Sequence, residues 1–262
     1  MFTVEELARP RTVDEARRLL AASPENTLLG GCAFLRMGNR KIGTAIDLSA
    51  LGLDYIREAD GCIELGAMAT FRAVETHPAC RENFGGALPR AVGNVIGVQF
   101  RNLVTVGASV YSKYGFSDLI TVLLALATEV ELAGGGRMPL AVFLDKPFSR
   151  DILTRIYINK DGRTAAYHSL RNSASDFPVV NAAASRLGTE WTVAVGARPA
   201  RAQIAQAASR ALSEGTADPA TAAALAVGEL AFGGNLKASA DYRRAMAGVL
   251  VKRAVTEVLS CG

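Results

Sequence analysis

Histidine is scarce in this chain, and its thiols do not make up the shortfall. Of 262 residues only two are histidine, His77 and His168, and four are cysteine, Cys32, Cys62, Cys80 and Cys261, none of them in a C-x-x-C pair. A structural zinc needs several such ligands at close spacing and an iron–sulfur cluster needs a set of thiolates, so the chain is expected to hold neither, and no metal ligand is assigned. Four scattered thiols suit a reducing compartment. Dense runs of Lys and Arg are missing, as is any aromatic ladder among basic residues, and the net charge is only +4, which argues against nucleic acid as a partner. Long hydrophobic runs are missing too: the longest, Leu119 to Ala127, falls well short of the roughly 20 residues of a membrane helix. The chain begins Met1-Phe2-Thr3-Val4-Glu5-Glu6, acidic and without an apolar stretch of signal length. The expectation is a cytoplasmic protein with no membrane contact.

What is present is a large supply of core residues, half of the chain being hydrophobic, enough for one large domain or two modest ones. Thr12-Val13-Asp14-Glu15 has the form of a capping box and opens a helix that stops near Ser23-Pro24. Short strands are expected at Thr27–Leu29, Ala45–Leu48, Ile63–Leu65, Leu103–Val106, Val130–Leu132 and Ile156–Ile158, with a hairpin turn at Gly134-Gly135-Gly136. Helices are expected from Thr70 to His77, from Leu88 to Val98 with an interruption at Gly93, and from an Asp118 N-cap through Ala127. After about residue 165 the pattern changes to two or three strands, including Trp191–Val195, and then three helices. These are an Ala-rich helix over 199–212, one opened by Asp218-Pro219, and one capped by Ser239 with Tyr242, Met246, Val249 and Leu250 on one face. The fold class read from this is α+β, a mixed α/β first part followed by a sheet covered by helices.

Two glycine-containing turns stand out. Leu28-Leu29-Gly30-Gly31-Cys32-Ala33-Phe34-Leu35 is an apolar strand running into a double glycine, and Arg101-Asn102-Leu103-Val104-Thr105-Val106-Gly107-Ala108-Ser109 is a second strand end, followed by Ser117-Asp118-Leu119. Glycine lets a main chain come close to a ligand and adopt positive φ, so that successive N–H groups converge on phosphate oxygens. Two such turns suit a long, doubly anionic ligand, a dinucleotide. Neither G-x-G-x-x-G nor G-x-x-x-x-G-K-[ST] occurs, so the nicotinamide and P-loop fingerprints are both absent.

Five collinear segments resemble the FAD-binding subunit of the molybdenum hydroxylases, the xanthine dehydrogenase and carbon monoxide dehydrogenase group. The first turn resembles the family's A-G-G-T-D-L flavin loop. Gln99 to Gly107 resembles I-R-N-x-A-T-I-G-G-N, and Ser117-Asp118-Leu119 to Leu132 resembles the D-L-x-P-x-L-L-A-L-x-A-x-V-x-L helix. Ser169 to Ala182 is similar to the R-x-x-x-D-x-A-x-V segment, and Tyr242 to Ala254 to Y-R-x-x-M-x-x-x-L-x-x-R-A. Differences fall at Cys32-Ala33 in place of Thr-Asp, at Ala108-Ser109 in place of Gly-Asn, and over Lys113–Phe116 in place of A-S-P-x-G.

The resemblance implies a two-lobed FAD-binding domain of the PCMH / vanillyl-alcohol-oxidase-like type over residues 1–160, with lobes of roughly 1–52 and 53–160. A smaller α/β C-terminal domain of the CO dehydrogenase flavoprotein type follows over 165–262. It implies FAD as cofactor, a molybdopterin-binding large subunit and a [2Fe-2S] small subunit as partners, and NAD or another electron acceptor. The chain would then be an FAD-dependent oxidoreductase subunit of a xanthine dehydrogenase-like complex, passing electrons without a catalytic side chain of its own. Two other readings stand beside it: a scaffold subunit that has lost FAD, and a stand-alone FAD oxidoreductase. By resemblance, Leu29, Gly30, Gly31, Cys32, Ala33 and Phe34 surround the FAD diphosphate. Thr105, Gly107, Ala108, Ser109, Ser112 and Asp118 lie in the second flavin-contacting region, Leu153 lies near the isoalloxazine, and His168 stands where the family often has a basic residue near the ring. Tyr55, Tyr111 and Tyr114 are further candidates for flavin or subunit contact, with core packing as the default. Arg101 and Asn102 either stabilise their turn or touch ligand. Arg171 and Asp176 are expected as a structural ion pair, and Arg243, Arg244, Lys252 and Arg253 as a solvated or subunit-facing side of the last helix.

Overall fold

A small parallel sheet starts the chain. In the computed structural model, which describes residues 2–261, β1 (Thr3–Ala8), α1 (Val13–Ala22), β2 (Thr27–Leu29) and β3 (Lys41–Asp47) form a first lobe with strand order β1-β3-β2. Thr12 caps α1 by accepting the Glu15 N–H at 3.1 Å, and the Glu15 carboxylate accepts the Arg11 N–H at 2.8 Å, so the expected capping box forms with its return bond one residue early. Ala16 and Leu20 pack on Ile46 and Leu48, and Ile152 of the next lobe completes this core.

The second lobe is a five-stranded antiparallel sheet ordered β4-β5-β8-β6-β7, built from β4 (Ile56–Ala59), β5 (Cys62–Gly66), β6 (Glu129–Leu132), β7 (Gly136–Pro139) and β8 (Leu153–Asn159). Between β5 and β6 run α2 (Phe71–Thr76), α3 (Pro78–Glu82), α4 (Ala87–Gly93), α5 (Val98–Arg101), α6 (Val106–Tyr111) and α7 (Asp118–Ala125), and α8 (Leu140–Asp145) follows β7. Two local expectations change here. The strand predicted over Leu103–Val106 reduces to a single bridge between Thr105 and Thr70, because Thr105 caps α6 and the preceding amides turn back onto the carbonyls of α5. The N-cap of α7 is Ser117, whose Oγ accepts the Ile120 N–H at 3.1 Å; Asp118 is the first residue inside the helix, with its carboxylate free to point elsewhere. Arg101 holds its turn together, pairing with Glu75 at 2.8 Å and donating to the Val95 carbonyl at 2.7 Å.

The C-terminal domain is a four-stranded antiparallel sheet, order β12-β11-β10-β9, made of β9 (Thr164–Leu170), β10 (Val180–Leu187), β11 (Glu190–Gly196) and β12 (Gln203–Ile204). Three helices, α9 (Gln206–Ser213), α10 (Pro219–Glu229) and α11 (Ala240–Ser260), cover one face. The other face lies on α7, all eight residues of which are buried. Strand alternation sorts the residues: Ala166, Ala182 and Ala184 meet the helices, while Ala165, Tyr167 and Ala183 join the core of the second lobe.

Three expectations for this domain are corrected. The helix predicted over 199–212 begins only at Gln206, because the preceding residues pair as β12 with the edge of β11. The buried face of α11 consists of Ala247, Leu250, Val251, Ala254, Val255 and Val258, whereas Tyr242 and Val249 are 48% and 38% exposed. Arg243 is not on the solvated side: it is 2% exposed and donates to the carbonyls of Val179 and Ala197, helped by its Asn235 Oδ1 contact.

One side chain straps the two lobes together. Arg150 of the second lobe donates to the carbonyls of Leu20, Ser23, Pro24 and Asn26 at 2.6–3.2 Å, which gathers the end of α1 and the turn after it. A cation at a helix C-terminus satisfies orphan carbonyls and meets the negative end of the dipole. Arg150→Ala is therefore expected to cost about 1–2 kcal/mol, read as a lower urea midpoint with an unchanged slope.

Candidate functional site

Where the first lobe, the second lobe and the C-terminal domain meet, they enclose a cavity of about 820 Å³. The volume falls in the range of small-molecule and cofactor sites. Each body supplies part of the wall: Gly30 and Cys32–Phe34 from the first, Thr105 and Gly107–Ser109 from the second, Arg171 and Ser175–Phe177 from the third.

The first glycine turn has the form that phosphate binding requires. Gly31 and Cys32 both take left-handed φ, +68° and +54°, and the N–H groups of Gly31, Cys32, Ala33 and Phe34 have no hydrogen-bond acceptor among the described residues. A run of unspent amides beside a cavity is an anion cradle. A Cβ on Gly31 would stand 2.0 Å from the Leu103 carbonyl oxygen, and one on Gly30 would stand 3.4 Å from Ala108 Cβ and Thr105 Oγ1. The first turn thus rests directly on the second, which is why it needs glycine.

The second turn works differently from the sequence expectation. Four of its amides are already spent: Val106 N–H donates to Ala69 O at 2.9 Å, Gly107 N–H to Ala67 O at 2.8 Å, Ala108 N–H to Thr105 Oγ1 at 3.3 Å and Ser109 N–H to Thr105 O at 3.1 Å. Gly107 is required by close packing, since a Cβ there would lie 2.6 Å from Ala67 Cβ. What this turn offers the cavity is the small side of Ala108 and the hydroxyls of Ser109 and Ser112. Among the described residues the first turn thus has four amides without acceptors and the second only that of Thr105.

Of the residues singled out from sequence, Gly30, Cys32, Ala33, Phe34, Thr105, Gly107, Ala108, Ser109, Ser112, Asp118 and Leu153 line this one cavity. Leu29 and Gly31 lie behind the wall and hold its shape. His168 lies elsewhere. Alternation along β9 turns Tyr167 toward α7 and His168 toward α11, where its Nε2 is 2.9 Å from Glu257 Oε2. Arg90 of α4 reaches the same carboxylate, so His168 belongs to a contact between domains. Arg171, three residues on, does line the cavity, as do Arg40 and Arg150. It pairs with Asp118 at 2.6 Å, not with Asp176, whose partner is Lys237. Asp118 is 5% exposed; burial pushes its carboxyl above the usual range, and Arg171, Tyr167 and Asn181 oppose that shift. Burial, with the Asp47 carboxylate nearby, likewise pushes the Cys32 thiol up, so Cys32 is a neutral thiol.

Sequence reasoning missed an aromatic cluster. Phe34, Tyr114, Phe116 and Phe177 come from three segments, and their ring centroids lie 4.3–6.2 Å apart along the cavity wall. Tyr114 and Phe116 sit where the chain departs from the A-S-P-x-G pattern, which was the available signal. Tyr111 also lines the cavity, whereas Tyr55 stacks under Arg57.

A two-domain α+β protein whose cavity pairs an amide cradle with flat aromatic walls is built to hold a dinucleotide. Residues 2–160 match the family described as "FAD binding domain in molybdopterin dehydrogenase", and residues 165–258 match "CO dehydrogenase flavoprotein C-terminal domain". The chain is 28% identical over 255 residues to YgfM of Escherichia coli strain K12, covering 95% of this chain and 94% of that one. It is 30% identical over 190 residues to the nicotinate dehydrogenase FAD-subunit of Eubacterium barkeri, covering 65% and 64%. Among solved structures, carbon monoxide dehydrogenase from Hydrogenophaga pseudoflava shares the fold, with a TM-score of 0.87, 23% identity and 98% of each chain covered. The protein belongs to the molybdenum hydroxylase FAD-subunit family, and its cofactor is FAD. The unspent amides and the glycine turn they occupy fit that cofactor, and no helix among the described residues is long and apolar enough to cross a membrane.

Two outcomes are expected. Gly31→Ala, strained in φ and driven into the Leu103 carbonyl, should lower stability by about 2 kcal/mol or more, measured by urea unfolding. Near neutral pH the exposed Cys261 should react with a maleimide about tenfold faster than Cys32, with peptide mass spectrometry as the readout and added FAD slowing Cys32 further.

Proposed function

We propose that this chain is the electron-transferring FAD subunit of a molybdopterin-dependent hydroxylase or dehydrogenase. It receives electrons from [2Fe-2S] clusters on a small subunit, fed by a molybdopterin-bearing large subunit, and delivers them to an acceptor such as NAD. The observation that carries the reading is the run of amides at Gly31–Phe34 without acceptors among the described residues, those of Cys32–Phe34 belonging to residues that line the three-sided cavity. In this reading the diphosphate lies on those amides, and Ser109, Ser112 and Asp118 meet the hydroxyl-bearing part of the cofactor. Leu153 and the rings of Phe34, Tyr114, Phe116 and Phe177 exclude water from the flat part. Bound FAD supplies redox chemistry that takes electrons singly and releases them as a pair. The chain's residues supply position and a dry wall, so no acid, base or nucleophile among them is required.

The replaced residues at Cys32-Ala33 and Ala108-Ser109 leave the main-chain donors of the first turn intact, which favours an FAD-loaded subunit over a scaffold without cofactor. The division proposed is an FAD-binding unit over 1–160, with lobes of roughly 1–52 and 53–160, and a C-terminal unit over 165–262. The free thiols fit a cytoplasmic setting. A second pocket of about 360 Å³ supports an anionic acceptor: it shares Phe116 and Phe177 with the cofactor cavity and is lined by Arg201, Lys237 and Arg243.

The purified chain should carry one FAD per chain and show a flavin absorption band. A colourless protein that takes up no added FAD would overturn the reading. In the assembled complex, Arg201→Glu should raise the KM for NAD several-fold with FAD content unchanged, measured by steady-state reduction of NAD.

A further inference from the structure

Asp118 belongs to α7 of the second lobe and faces the cofactor cavity, yet none of its side-chain partners comes from its own domain. Arg171 Nη2 donates to Oδ2 at 2.6 Å, Tyr167 Oη donates to Oδ1, and Asn181 Nδ2 approaches Oδ1 at 3.4 Å. All three lie on or just beyond β9 and β10 of the C-terminal domain. Arg171 is itself held, with Nη1 donating to Ser169 Oγ at 2.6 Å and its side chain only 9% exposed.

Among the described residues, Arg171 is the only charged group that meets that carboxylate. Tyr167 is the other titratable group against it among the described residues, pushed well above the ordinary phenol range by burial and by Asp118. Charged side chains of the helices packed on α7 turn elsewhere: Arg90 of α4 to Glu257, Lys113 after α6 to the carbonyls of Phe143 and Lys146, and Asp145 of α8 to solvent. A carboxyl this buried is ionised only while a cation compensates it; without one it takes a proton and changes from pure acceptor to donor.

We propose that Arg171 is a positioning residue of the cofactor site: from the C-terminal domain it keeps Asp118 a carboxylate facing the cavity, so that full affinity for FAD requires that domain to be docked. The inference rests on the reading that FAD occupies this cavity. It makes the C-terminal domain a working part of a site whose diphosphate cradle lies entirely in the first lobe.

The test is FAD titration into the full chain between pH 6 and 9, followed by quenching of flavin fluorescence, with circular dichroism as a check on folding. Wild type should bind with a flat pH profile. Arg171→Gln should bind about tenfold more weakly at neutral pH and regain affinity as pH rises, because Asp118 then ionises unaided. Arg171→Lys should restore most of the loss. Asp118→Asn should be weak at every pH, and Asp118→Asn/Arg171→Gln should match it, which also serves if the single Arg171 variant fails to fold. Wild-type affinity in Arg171→Gln, or a loss with no pH dependence, would overturn the proposal. A double variant weaker than Asp118→Asn would mean that Arg171 touches FAD directly, and would overturn it as well. A wild-type chain that binds no FAD would instead remove the functional reading and this one together.

Discussion

Burial of α7 is the constraint on which the rest depends. A helix buried on every side needs cover on all its faces. Here the second lobe takes one side through Leu119, Leu123 and Leu126, and the C-terminal sheet takes the other through Tyr167, Ala183 and Ala194. Small residues make that contact close: Gly196 has room for no Cβ, which would meet Thr121 Oγ1 at 2.2 Å and Asn181 Oδ1 at 2.4 Å. The helix therefore sets how the two domains sit, and its first residue, Asp118, is carried to the point where they and the cavity converge.

The cavity follows from this arrangement. The first lobe lends the amides, the second supports them from behind, and the C-terminal domain closes the remaining side with Arg171 and Phe177. Arg150 ties the first lobe to the second, and the Arg171–Asp118 pair ties the second to the third. Each tie ends at the cavity wall, so the shape of the cavity and the mutual placement of the three bodies draw on the same contacts. Removing one partner of a buried pair costs more than the pair contributes, because the other charge is stranded.

Local chemistry was legible wherever a side chain acts on its own backbone. Thr12, Asp218 and Ser239 cap their helices as their positions require, Gly134–Gly136 turns the hairpin, and Gly30-Gly31 marks a tight turn. Legibility failed where a residue answers to something distant in sequence. Thr105-Val106-Gly107 looks like a ligand-facing turn, but the amides of Val106 and Gly107 are taken by Ala69 and Ala67. Arg243 reads as a surface charge on a helix, but it is drawn inside by the carbonyls of Val179, just before β10, and Ala197, just after β11. His168 and Arg171 are both basic residues at one strand end, and only the parity of the strand decides which of them reaches the cavity.

The sequence by itself determined the α+β plan and the glycine turn, because these rest on short-range patterns whose physical requirements are local, periodicity, caps and positive φ, and it pointed to the family and its two domains through the resemblance of five collinear segments. Only the tertiary structure decided which amides remain free, which cation meets Asp118 and where the aromatic wall forms. Those outcomes depend on hydrogen-bond acceptors and surfaces brought together from segments dozens of residues apart, and a donor is spent or spare only once its neighbours in space are known.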